Sequence, residues 1–461
     1  MTAPNEQAIG GFKAALRGTL VQEGDAEYDQ ARKVYNAMID KRPALIAYCT
    51  DVADVMAAVG FAREHKLLLA VRGGGHNGGG LGVCDGGLVV DLSRMKGIRV
   101  DPAARIVRVQ PGCTGGDMDH ATHAFGMATP GGTVASTGVA GLTLGGGIGH
   151  LTRPYGLAID NLLEVDMVLA DGSFVTANEK DNADLFWAVR GGGGNFGIVT
   201  SFVFRLHPVD TVIAGPTFWP IEQTPEVMQA YQQFIHAAPE DVSGFLAFLT
   251  VPPVPLFPPE LHGKKVCAVI WCSTASAEKA EKATKAMRSV GKPLLDHVGP
   301  MPFPVLQSLF DPLLPPGLQW YWRADFAKEF SKEAIAAHLA QALKAPAGLS
   351  QVHIYPIDGA AHGVDRHDTA FSYRDANFAL VIVGVDADPA NAGTISKWCK
   401  DYFDAVHPFS AGGAYVNFMM DEGQERVKAS FRDNYDRLAT VKKKYDPQNL
   451  FRVNQNIRPA A

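Results

Sequence analysis

Cysteine is scarce in this 461-residue chain. Its six copies, Cys49, Cys84, Cys113, Cys267, Cys272 and Cys399, form no CxxC pair and no ligand-like cluster, which argues against both a disulfide framework and a structural zinc. We read them as reduced thiols of a cytoplasmic protein. Long apolar runs are missing too, none approaching the roughly 18 residues of a membrane span. Met1 to Phe12 carries neither a basic flank before an apolar core nor a twin-arginine pair. The expectation is a chain that is neither exported nor anchored. Charge of a single sign is lacking: 42 basic and 48 acidic side chains are scattered and leave a net charge of -6, so nucleic acid is not an expected partner. HExxH, GxSxG and P-loop patterns are absent. With 20% charged and 47% hydrophobic residues and a mean hydropathy of -0.01, the chain is globular, of a length for two or three domains.

Glycine is what the chain has in excess, 48 residues, and its placement is informative. Nine of the fifteen residues from Gly73 to Gly87 are glycine, eight of nineteen from Gly131 to Gly149, and five of seven from Gly191 to Gly197. Each run is bracketed by strand-like or helix-like sequence, so these are loops and not a linker. Glycine permits positive φ and close approach of backbone to ligand, and successive bare N–H groups form concave anion sites. Three such loops suggest one large phosphate-bearing cofactor. GxGxxG spacing occurs at Gly73, Gly75, Gly78 and at Gly192, Gly194, Gly197, but a dinucleotide fold needs a strand before and a helix after. The first is followed by the strand-like 87–92; the second is preceded by a helical stretch, 184–190, and followed by the β-rich 198–206. A Rossmann site is therefore not expected.

The pattern predicts helices over 28–38 and 51–64, the latter capped by Thr50 or Asp51, then short strands at 67–71, 87–92 and 106–109, a helix over 116–125, and a hairpin from 161–169 to 174–176 through Asp171-Gly172. Past residue 210 glycine thins and prolines cluster. Strands such as 266–272 and 380–385 there alternate with helices at 278–290, 332–343 and 390–406, as in a separate α+β domain. A further helix is predicted over 425–444.

Arg72-Gly-Gly-Gly-His76, Asp91-Leu-Ser, the run from Gly145 to Tyr155-Gly, Asp160-Asn161, Arg190 to Gly197, Tyr415-Val-Asn417 and Asp446 to Asn454-Gln resemble, in this order along nearly the whole chain, the berberine-bridge-enzyme-like flavoproteins of the vanillyl-alcohol-oxidase, or PCMH-type, FAD superfamily. The resemblance implies an α+β protein: a PCMH-type two-part FAD-binding domain, residues 1–210 with a returning segment 412–461, and an inserted α+β substrate domain, 211–411, an antiparallel sheet covered by helices. It implies FAD bonded through His76 to the isoalloxazine 8α carbon. The resemblance further implies cofactor contacts from Arg72, Gly73, Gly74, Gly75, Asn77, Gly78, Gly79 and Leu81. The second loop would add Pro130, Gly131, Gly132, Ser136, Thr137, Gly138, Gly141, Leu142, Gly145, Gly146, Gly147, Gly149 and His150. Gly197, Ile198 and Val199, with Tyr415, Asn417 and Asn454, complete the set. Many relatives carry a second link through a cysteine of the second loop; Val134 stands there, so a single tether is expected.

Oxidation of a C–H bond by flavin needs hydride delivery to N5 and, for an alcohol or phenol, a positioned base. In relatives a second tyrosine often follows the Tyr-x-Asn motif, whereas this chain has Phe418, leaving Tyr415 as one candidate base. Gln351, His353 and Tyr355 alternate on one strand face, and in relatives that strand faces the flavin, so His353 and Tyr355 are the others. Gln319, Tyr321 and Arg323 oppose Trp320 and Trp322 on 318–326, with the pocket-lining face left open; the aromatics of 303–326 read as core. Asp117, His120 and His123 share a helix and read as a solvated face, with no metal expected. The implied function is an FAD-dependent oxidase acting on an alcohol, amine or phenolic compound, with O2 as acceptor and Thr137 small enough to admit it. A dehydrogenase with another acceptor, or a non-catalytic flavin carrier, is the alternative.

Overall fold

The strand Leu69–Arg72 runs into the first glycine loop, and the loop returns the chain to the strand Leu88–Asp91, which lies parallel beside it. The computed structural model describes residues 4–346 and 348–461. Leu45–Tyr48 extends this sheet in parallel and Thr19–Gln22 closes its edge antiparallel. The crossover helix, Val52–Glu64, is N-capped by Asp51, whose side chain accepts from the Asp54 amide, and it buries Val55, Ala58, Val59 and Ala62 against the sheet. A second sheet is antiparallel throughout, in the order Ile98–Asp101, Ile106–Val109, Ile198–Arg205, Leu162–Val168, Phe174–Asn178. Its apolar side shares one core with the C-terminal residues Val427, Phe431, Leu438 and Ile457.

The third sheet has eight antiparallel strands, all between Thr211 and Asp386. From its centre toward one edge it runs Val242–Thr250, Gln351–Pro356, Phe378–Asp386, Gln319–Ala327. One face buries Leu246, Val269, Ile354 and Ile382 with side chains of the helices Thr224–Ala237, Lys332–Ala342 and Ala392–Val406. The other face turns toward the glycine loops. All six cysteines are buried free thiols. No helix among the described residues is long and apolar enough to cross a membrane.

Two expectations from the sequence differ from what is observed. The helix expected over 28–38 stops at Ala31, because Asn36 leaves it to donate to the Gly78 and Trp320 carbonyls at 2.7 and 3.0 Å. The helix expected over 425–444 is two, Gln424–Phe431 and Tyr435–Tyr445, broken at Arg432, where φ is +45°. The Arg432 guanidinium lies 3.5 Å from the Tyr373 ring centroid and pairs with Asp375, contacts that a continuous helix would not place there.

Candidate active site

A cavity of about 330 Å³ lies between the glycine loops and the free face of the eight-stranded sheet. The first loop supplies Arg72, Gly73, Gly74, Gly75, His76, Asn77 and Leu81 to its wall, the second Gly132, Thr137, Gly138, Gly141 and Leu142, the third loop and its following strand Gly197, Ile198 and Val199. Tyr415, Asn417 and Asn454 reach it from the C-terminal segment, and His353 and Tyr355 from the sheet. Gly74 and Gly138 touch backbone to backbone: a Cβ on Gly74 would stand 2.5 Å from the Gly138 nitrogen, so a side chain at either position would push the two loops apart. Among the described residues, no backbone amide from Gly73 to Gly79 donates to another protein group. Five of these amides, from Gly73 to Asn77, lie on the cavity wall, and together they make a cradle for an anion such as a pyrophosphate. The buried Asn454 Oδ1 likewise has no partner there. The residues present thus fit a phosphate-bearing dinucleotide.

Arg72 orients the first loop from behind. Buried with Asp91, it donates Nε to that carboxylate and its other nitrogens to the carbonyls of Ala31 and Lys33. His76, at the far end of the same glycine triplet, is half-buried and stacks on Tyr35, with centroids 3.9 Å apart and planes 21° apart. The Tyr35 hydroxyl donates to the Leu314 carbonyl at 2.5 Å, which pins the ring. Burial pulls the His76 imidazole down to about 4, against a weaker opposing hydrogen bond with the Ser136 backbone, so the ring is neutral at pH 7.

Opposite stands a three-residue network. His353 Nε2 lies 3.0 Å from Gln351 Oε1 and its Nδ1 2.7 Å from the Tyr355 hydroxyl. An amide oxygen can only accept, so Nε2 carries the ring proton and Nδ1 accepts from Tyr355. Burial drives His353 down to about 3 and the Tyr355 phenol above its ordinary value, the latter against a 3.3 Å contact with the Thr133 hydroxyl. Both are neutral at pH 7. Tyr415 accepts from the Gly147 amide at 2.8 Å and from Asn417 Nδ2 at 2.7 Å, yet burial outweighs both bonds and pushes its phenol up to about 12. That geometry is a clamp between the second loop and the C-terminal segment.

Several expected contact residues do not reach the cavity wall: Gly78, Gly79, Pro130, Gly131, Ser136, Gly145, Gly146, Gly147, Gly149 and His150. Gly78, Gly145, Gly146, Gly147 and Gly149 instead pack protein closely on protein. A Cβ on Gly145 would stand 2.2 Å from Asn417 Oδ1, and one on Gly78 2.7 Å from the Trp322 ring. His150 is buried, 5.9 Å from the Phe245 ring, with its Nε2 unpartnered among the described residues; burial lowers it to about 3, with His353 adding a smaller push. Conversely, Tyr35, Trp320, Trp322, Phe418 and Gln455 line the cavity without having been expected there. The alternation on Gln319–Ala327 already separated the tryptophans from Tyr321; paired with Phe378–Asp386, the strand turns Trp320 and Trp322 toward the cavity, and Trp320 is core as well, buried in one hydrophobic cluster against which Trp322 packs. No sequence signal marks Tyr35. Among the described residues no group of three metal-ligating side chains occurs; Asp117 closes a capping box with Thr114 and pairs with Lys96.

The family model described as an FAD binding domain matches residues 43–178, and that described as berberine and berberine like matches residues 414–458. A FAD-linked oxidoreductase of Dictyostelium discoideum is 32% identical over 457 residues, covering 98% of this chain and 97% of the relative. The chain belongs to the berberine-bridge-enzyme-like FAD-linked oxidoreductases, with the PCMH-type α+β fold. It is also similar to (R)-6-hydroxynicotine oxidase of Paenarthrobacter nicotinovorans, 28% identical over 460 residues, with 96% of this chain and 97% of the relative covered. Glucooligosaccharide oxidase from Acremonium strictum, which carries a 6-S-cysteinyl, 8α-N1-histidyl FAD, has the same fold with a TM-score of 0.88 at 23% identity, covering 98% of this chain and all of that one.

Proposed function

We propose that this FAD-linked oxidoreductase is an oxidase, moving a hydride from a C–H bond of an alcohol, amine or phenolic compound to flavin N5 and returning the electrons to O2 as H2O2. In this reading residues 1–210 and 412–461 hold the cofactor and residues 211–411 the substrate. The observation that carries it is the convergence on one cavity of a neutral imidazole at His76, the free amides beside it, and the His353–Tyr355 pair opposite. The oxidase nature of the Paenarthrobacter relative supports it. A single covalent bond, through His76, is supported by the neutral, nucleophilic state of that ring and its stacking on Tyr35. Val134 lines the same cavity from the second loop and has no thiol with which to make another.

When bound, FAD supplies a two-electron acceptor at N5. The chain positions the substrate hydroxyl. Gln351 fixes the His353 tautomer, so that Nδ1 holds the Tyr355 proton and the Tyr355 oxygen is turned to accept from a substrate hydroxyl. Thr137, small and on the cavity wall, leaves room for O2. The test begins on a denaturing gel: the protein band should fluoresce as flavin, and His76→Ala should abolish it. A dark wild-type band with free FAD in the supernatant would refute the tether. Reduced enzyme should then reoxidise rapidly in air, and slow reoxidation would instead indicate a dehydrogenase.

A further inference from the structure

Resting on that oxidase reading, we propose that the cavity admits a neutral, flat aromatic compound that presents a single hydroxyl group to Tyr355, and that it rejects saccharides and protonated amines. Strand register sets Gln351, Val383 and Trp322 side by side in one row of the sheet and His353 beside Val381 in the next. Phe418 spans the gap between Trp322 and Tyr355, 6.4 Å from the first ring, edge-on, and 5.9 Å from the second. The floor is thus aliphatic and its sides aromatic, surfaces that gain most from a flat hydrocarbon ring.

Charge excludes the amines. The lining residues include no carboxylate among those described, and Arg72, the one permanent cation, is engaged by Asp91 and two backbone carbonyls. An ammonium group entering here would lose its water and find no counter-ion. Hydrogen-bond supply excludes the saccharides. Asn417 Nδ2 is spent on Leu142 and Tyr415, and the His353 ring on Gln351 and Tyr355, so several of a sugar's many hydroxyls would be buried unpaired. Tyr355 differs: having given its proton to His353, its oxygen retains capacity for one incoming hydroxyl, with only the 3.3 Å Thr133 contact competing.

The flavin absorbance of the purified holoenzyme is titrated anaerobically with 2-naphthol, cellobiose and benzylamine. We expect 2-naphthol to perturb the band with a Kd at least about tenfold below the other two, and Trp322→Ala to weaken it about tenfold while Trp322→Phe retains most of the affinity. Equal or tighter binding of cellobiose or benzylamine overturns the proposal, as does naphthol affinity that is unchanged in both variants. Air reoxidation of the photoreduced holoenzyme without ligand tests the oxidase reading separately. Rapid reoxidation with weak naphthol binding sinks the substrate class alone; slow reoxidation with tight naphthol binding sinks the oxidase reading alone.

Discussion

The proposed contact of a substrate hydroxyl with Tyr355 depends on His353 and Gln351 holding the phenol in a single orientation. Tyr355→Phe keeps the ring and its packing against Phe418 and Phe245 but removes the oxygen that would accept from the substrate hydroxyl. Turnover should fall by about 100-fold and KM should rise, with gel fluorescence unchanged, since a group positioned on the reacting hydroxyl contributes roughly 10²–10⁴ in rate. Steady-state kinetics with any substrate that bleaches the flavin would measure this. Another titrating group lies away from the cavity. Asp119 is buried on the helix Gly115–His123, with Gln307 Nε2 donating to it at 3.2 Å, and burial raises it to about 7. A carboxyl raised on folding favours the folded state when protonated. That stability is fully present below the unfolded value near 4 and is lost as pH rises through about 7, a change on the order of 4 kcal/mol. Asp119→Asn should therefore flatten the fall in melting temperature between pH 5 and 8 and should melt higher than wild type at the upper end. Equal slopes in thermal melts of the two proteins would contradict this.

Among elements, the glycine loops were legible in the sequence because residue type reports backbone need directly: only a residue without Cβ permits the contact of Gly74 with Gly138. Gly138→Ala should separate the first two loops, lower the flavin-to-protein absorbance ratio of purified enzyme several-fold and lower the melting temperature; full flavin occupancy would show that the loops tolerate separation. The helix Val52–Glu64 was equally legible, its cap and apolar face being local. The break at Arg432 was not, because its cause, Tyr373 and Asp375, lies in a distant part of the chain. The same holds for Asn36, which abandons a helix to bridge Gly78 and Trp320.

Across the whole molecule, buried ion pairs tie the glycine-loop region to the eight-stranded sheet. Arg153, just past the second loop, is 2% exposed; it donates to Asp358 at 2.7 Å and to carbonyls including Ile235 at 2.8 Å. Arg374 donates to both carboxylate oxygens of Asp160, while Lys442, fully buried, joins the C-terminal helix to the third glycine loop by donating to Asp446 and the Asn195 carbonyl. Arg153→Met would leave the Asp358 carboxylate buried with only half-exposed His236 nearby, at 3.3 Å, and should cost about 3–5 kcal/mol in denaturant unfolding. A loss below about 1 kcal/mol would mean that the pair does not couple these parts.

The sequence by itself determined the loops, the family and His76, since motif order and glycine placement are one-dimensional records of what the backbone near a phosphate requires. Only the tertiary structure decided which face of Gln319–Ala327 meets the cavity, that Tyr35 stacks on His76, that Tyr415 is a clamp, and that Tyr355 donates to His353. Each of these depends on strand register and on burial by distant segments, and a side chain's partners and its proton affinity are properties of that surrounding and not of its position along the chain.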